Sequence, residues 1–161
     1  MKIALATFAL FLTQLAFAQN KTTTYYLIRH AEKADNSRNP DLSAAGTERA
    51  VNWNRIFAAI AFDAVYSTDF KRTLQTATPT AEKNKTQVIL YNPQDISFPD
   101  FKKSTSGKTV LIVGHSNTIP AFANQLIGKT VYSDIEDTVF GNLYIITVNG
   151  DSVTHQLLKL P

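Results

Sequence analysis

The apolar positions of this chain fall into two unbroken runs and several periodic ones. Tyr25-Tyr26-Leu27-Ile28 and Val110-Leu111-Ile112-Val113 are apolar at every position rather than at every second one. Such runs fit central strands covered on both faces. Residues 62–66 and 88–91 predict two shorter strands. Between the strands, Ala50, Trp53, Ile56, Phe57 and Ile60 recur at helical spacing. They predict an amphipathic helix over 44–61, with Ser43 as its N-cap. A second helix is expected over 70–83, although Pro79 inside it threatens a kink. A third, over 119–127, stops at Gly128. Residues 92–107 read as irregular, and Asn149-Gly150 between 142–148 and 152–159 signals a hairpin. The order predicts an α/β fold: a three-layer sandwich with a mostly parallel central sheet and an antiparallel edge hairpin.

The N-terminus departs from this pattern. Lys2 precedes a nearly continuous apolar stretch over 3–15, and Ala16-Phe17-Ala18 offers a small-x-small cleavage site. Charge, apolar core and cleavage site in that order predict a signal peptide over 1–18, too short to span a bilayer comfortably. Removing 18 of the 161 residues leaves 143, a single domain over 19–161. The mature chain is expected to be exported, periplasmic or secreted, with no stable membrane insertion after cleavage.

Composition narrows the chemistry. There are no cysteines, which excludes disulfides and thiolate catalysis. The formal charge of +3 falls to +2 without Lys2, and no Lys/Arg block points to nucleic acid. Both unbroken strands end in histidine, as Arg29-His30 and Gly114-His115, and a third strand end leads through Ser67 to Arg72. In a parallel sheet these ends share one edge, where ligands bind. Two imidazoles and two guanidiniums facing one point suit a phosphoryl group. A metal site is disfavoured, because no ligand spacing is visible and two arginines would repel a cation. No cofactor is expected.

Four segments, in order, carry a resemblance. Leu27-Ile28-Arg29-His30-Ala31-Glu32 is similar to the Arg-His-Gly-Glu signature of the histidine phosphatases, the superfamily that includes cofactor-dependent phosphoglycerate mutases, with Ala31 in place of glycine. Asp41-Leu42-Ser43-Ala44-Ala45-Gly46 resembles the opening of that family's first long helix. The stretch from Tyr66 to Ala77 resembles its Ser-x-x-x-Arg-x-x-Gln-Thr-Ala block, and Val113-Gly114-His115-Ser116-Asn117 its second-histidine motif. The resemblance implies a phosphoglycerate mutase-like fold, with His30 as nucleophile forming a phosphohistidine. Arg29, Arg72 and His115 would hold the phosphoryl oxygens.

Ser116 and Asn117 are expected to bind substrate, although Asn117 also suits a helix N-cap. For the proton donor to the leaving oxygen, Asp95 is the best-placed carboxylate by sequence, ahead of Asp100 and Glu82. Glu32 is expected to order Arg29 or Lys33, His155 to lie at the surface, and Lys33, Arg38 and Lys71 to widen the positive field at the mouth. The implied activity is metal-independent hydrolysis of a small phosphorylated substrate or a phosphoprotein. The alternatives are a non-catalytic phospho-ligand-binding module, which the uncertain acid motivates, and a phosphoglycerate-type mutase, which the short substrate loops disfavour.

Overall fold

The computed structural model describes residues 21–161, so the signal-peptide expectation over 1–18 lies outside the described residues. The elements follow in the order β1 (Thr23–Arg29), α1 (Ala44–Ile56), β2 (Ala64–Ser67), α2 (Lys71–Lys83), β3 (Val88–Leu90), α3 (Phe98–Ser104), β4 (Thr109–Gly114), α4 (Thr118–Ile127), β5 (Asn142–Asn149) and β6 (Ser152–Lys159). The six strands form one sheet in the order β3-β2-β4-β1-β5-β6. The first four are parallel, and β5 and β6 join antiparallel beside β1.

The two unbroken strands pair with each other at the centre, Leu27 opposite Ile112 and Ile28 opposite Val113. Their alternate side chains feed two cores. Tyr25, Leu27, Val110 and Ile112 pack with Phe101 of α3 and with Ile119, Phe122 and Leu126 of α4. Ile28, Leu111 and Val113 pack on the other face with Trp53 and Phe57, at the end of α1, and with Ala77 and Ala81 of α2. Every position therefore needs an apolar residue, because side chains alternate between two buried faces.

Local chemistry sets the element ends. Ser43 caps α1, its hydroxyl accepting from the Gly46 N–H at 3.0 Å. The helix stops at Ile56, earlier than the periodicity of Phe57 and Ile60 predicts, because the chain turns there toward β2. Pro79 does not break α2. Around it, the hydroxyls of Thr76 and Thr78 bond back to the carbonyls of Arg72 and Leu74, at 2.7 and 2.8 Å. Gly128 closes α4 at φ +82°, the left-handed conformation that favours glycine. The hairpin loop is Gly150-Asp151, since Asn149 pairs with Ser152.

One expectation is corrected. The segment over 92–107 contains α3, preceded by Ser97, with Pro99 in its first turn and Lys102 and Lys103 in its last. Proline at a helix start costs nothing, because those N–H groups lack intrahelical partners.

Candidate active site

The site sits where β2, β4 and β1 end side by side. Ser67 pairs with Val113, and Arg29 pairs with Gly114. The His30 N–H then donates to the Gly114 carbonyl at 2.9 Å, extending the ladder by one bond. This register delivers His30 and His115 together, with ring centroids 5.5 Å apart.

His30 is 4% exposed. Its Nδ1 lies 2.7 Å from the carbonyl of Ala31, an atom that can only accept. Nδ1 therefore carries the proton, and the lone pair sits on Nε2. Burial pushes the imidazole pKa down to about 3. The Ala31 carbonyl works against that shift, while Arg29, His115 and Arg72 add to it. The sequence logic of neighbouring cations holds, but desolvation outweighs it.

His115 is held from behind. Its Nε2 lies 2.9 Å from the Thr68 hydroxyl, which bonds the Thr73 hydroxyl at 3.0 Å. Thr73 donates its single proton to backbone carbonyls, of Thr68 or Phe70, at 2.8 and 2.9 Å. Thr68 must then donate to Thr73 and accept from His115 Nε2–H, which leaves Nδ1 of His115 with its lone pair toward Arg72 Nη2 at 3.4 Å. Burial, then Arg72 and Arg29, lower the His115 pKa to about 4. Phe70 presses edge-on against the ring at 5.0 Å and lies under the Arg72 guanidinium at 4.5 Å.

Arg29 is 4% exposed and locked by backbone. Its Nη1 donates to the carbonyls of Glu136, Asp137 and Val139 at 2.9, 3.1 and 3.0 Å, while Nη2 faces the Asp137 carboxylate at 3.6 Å. Phe140 stacks on the guanidinium at 4.3 Å. The Nε atoms of both Arg29 and Arg72 are buried without a partner. Two buried cationic donors without acceptors, beside two neutral imidazoles, fit an anion.

These groups line a cavity of about 290 Å³, shared with Ser116 and Asn117 as the sequence predicts. Asn117 begins α4, yet its side chain makes no capping bond, and Thr118 accepts from the His115 N–H instead. Asp95 is not brought to this cavity. It is held by the Asn92 side chain and backbone and lines a separate hollow of about 420 Å³ beside Tyr66 and Tyr91, with no cation among its lining residues. The turn at 92–95 keeps it there. Asp137 is the one carboxylate among the residues lining the His30 cavity. Sequence reasoning missed it, because it lies in no motif and reaches the site only through Arg29.

Glu32 orders neither Arg29 nor Lys33. It takes both carboxylate oxygens to Arg49 of α1, at 2.8 and 3.0 Å from Nε. Lys71 is paired with Asp41 at 3.0 Å and does not line the cavity. His155 is half-buried, with Nδ1 2.8 Å from the Tyr132 hydroxyl. Among the described residues no cluster of three or more His, Asp or Glu could hold a metal ion.

Fold and site together define a phosphoglycerate mutase-like α/β protein with a two-histidine, two-arginine anion site. Residues 25–93 match the model of the histidine phosphatase superfamily (branch 1). Solved structures agree on the fold. A SixA phosphohistidine phosphatase candidate from Nakamurella multipartitia aligns at 21% identity over 89% of this chain and 98% of that one, with a TM-score of 0.65. Phosphoglycerate mutase from Bacillus anthracis aligns at 14% identity over 88% and 94%, with a TM-score of 0.66. Alpha-ribazole phosphatase from Shigella flexneri aligns at 16% identity over 85% and 96%, with a TM-score of 0.62. No curated protein matches the chain significantly.

Proposed function

We propose that the protein is a metal-independent phosphomonoester hydrolase working through a phosphohistidine on His30. The observation that carries this reading is the proton position on His30. With Nδ1–H tied to the Ala31 carbonyl, the lone pair of Nε2 is free to attack phosphorus. The N–P bond forms as the bond from phosphorus to the leaving oxygen breaks. Water then attacks the phosphohistidine and returns the lone pair to Nε2. Arg29 and Arg72 stabilise charge on the equatorial oxygens. His115 turns its Nδ1 lone pair toward Arg72 Nη2 and so orients that guanidinium, and Ser116 and Asn117 also line the cavity. The leading test is hydrolysis of an aryl phosphate with chelator present, by wild type and His30→Ala. Wild type should turn over and accumulate an acid-labile phosphoprotein on quenching, and the variant should do neither. Equal rates would sink the proposal.

Asp95 lies outside the cavity, and Asp137, the one carboxylate lining it, is exposed and faces Arg29. Among the described residues, therefore, no buried carboxylate stands ready to protonate a leaving oxygen. This favours leaving groups that depart without help, such as aryl phosphates or the phosphohistidine that the SixA relative is named for. The same gap supports a second reading, a binding module that holds phosphorylated ligands without turning them over. Failure to trap a phosphohistidine, with phosphate binding intact, would favour it. Export belongs to the proposal too, resting on Lys2, the apolar stretch over 3–15 and Ala16-Phe17-Ala18. A mature N-terminus at Gln19, read by mass, is the expected result.

A further inference from the structure

We infer that the His30 cavity has a second anionic subsite, built by Lys33 and Arg38, and takes small phosphate compounds carrying another acidic group. The inference builds on the phosphoryl site above but does not need turnover. Ligand pockets are usually lined mainly by apolar and aromatic side chains. All ten residues lining this one are polar or charged, so its lining is suited to charged substrate groups. Four of them are cations, Arg29, Lys33, Arg38 and Arg72, against the single carboxylate of Asp137. Both histidines are neutral near pH 7, since burial holds them near 3 and 4. The net positive charge of three exceeds the two that a phosphomonoester dianion neutralises. About one unit remains for a second anion.

Geometry assigns that unit. Arg29 and Arg72, whose buried Nε atoms lack partners, belong to the phosphoryl site, and Asp137 offsets part of the Arg29 charge. Lys33 and Arg38 form no ion pair among the described residues, and the Lys33 ammonium has only a 3.4 Å contact to Asn36. The nearby Asp41 is already paired with Lys71 and with Gln75. The loop carrying both cations is fixed rather than loose. Lys33 bridges to Leu42, the Ala34 N–H donates to the Asp41 carbonyl at 2.9 Å, and Asp35 accepts from the Ser37 N–H at 2.7 Å. Asn39 accepts from the Lys71 N–H at 2.9 Å, and the Arg72 guanidinium touches the Arg38 carbonyl at 3.5 Å. The pinned loop spares the backbone an ordering cost, so binding an anion there has to order only the two exposed side chains.

The test compares two probes of nearly equal shape, ethylphosphonate and 3-phosphonopropionate, which differ by one carboxylate. Calorimetric titration at fixed ionic strength should give wild type at least a ten-fold preference for 3-phosphonopropionate. In the Lys33→Gln/Arg38→Gln double variant the ratio of the two affinities should fall to about two or less. Neither side chain contributes to the fold, so near-native circular dichroism is expected. Equal affinities in wild type overturn the inference. So does a variant that weakens both probes by the same factor, which would mean a diffuse field. An affinity ratio that follows Lys33 and Arg38 in a protein that hydrolyses nothing keeps the subsite and removes the hydrolase reading. Hydrolysis without the ratio does the reverse.

Discussion

At His30 the sign of a pH effect can be worked out. Its pKa in the fold, about 3, lies below the ordinary 6.5. Between those values the unfolded chain binds the proton and the folded one does not, so stability is full above about pH 6.5 and falls as pH drops toward 3. Each pH unit in that window costs up to about 1.4 kcal/mol from one such group. His115, held near 4, adds to the loss. A His30→Gln variant should therefore show a shallower decline of Tm between pH 6.5 and 3 than wild type. A parallel decline would contradict the burial of a neutral ring. For catalysis, Arg72→Ala should lower kcat by about 10²–10³, the usual cost of one lost oxyanion donor. The convergence of Arg29, His30, Arg72 and His115 was legible because each lies in a motif at a strand or helix boundary. Asp137 was not, since its place depends on three carbonyls gripping an arginine more than a hundred residues earlier.

Among the elements, the junction of β1 with α1 explains a motif residue that carries no chemistry. A Cβ on Gly46 would stand 2.2 Å from the Glu32 carbonyl oxygen, which also receives the Ser43 N–H. Gly46→Ala gains about 1 kcal/mol of helix propensity and loses up to about 3 kcal/mol to overpacking. Urea titration should show a net loss of about 2 kcal/mol. Behind β2, Thr68→Val would leave the His115 Nε2–H without its acceptor at 2.9 Å. We expect a loss of about 1–3 kcal/mol in stability and ten- to hundred-fold in kcat as the ring loses its setting. Unchanged kinetics would show that Thr68 does not position His115. The caps at Ser43 and Gly128 could be read locally. The helix α3 could not, since its opening Ser97-Phe98-Pro99-Asp100 has the residue types of a loop and its one fully buried side chain, Phe101, gives no period.

For the whole molecule, the sequence pattern reveals that β1 and β4 are buried on both faces but not that they are neighbours. Adjacency of Ile28 and Val113 is a long-range fact, hinted at only by the matching histidines that follow each strand. Both cores meet across these strands, so the described residues should unfold together. Trp53, the one tryptophan, is 2% exposed and stacks on Phe57 at 5.6 Å. Its fluorescence and the far-ultraviolet circular dichroism should give coincident denaturation curves. Separate midpoints would mean that the two faces of the sheet come apart independently.

The grip of the α4–β5 connection on Arg29 has one more consequence. A guanidinium whose Nη1 is bonded to three backbone carbonyls cannot shift toward a bound phosphoryl group without stretching those bonds. Occupancy of the site is thereby felt along residues 136–139. Amide hydrogen exchange in that connection then becomes a readout of the arginine's loading, slowing where ligand tightens the grip and quickening where it draws the side chain away.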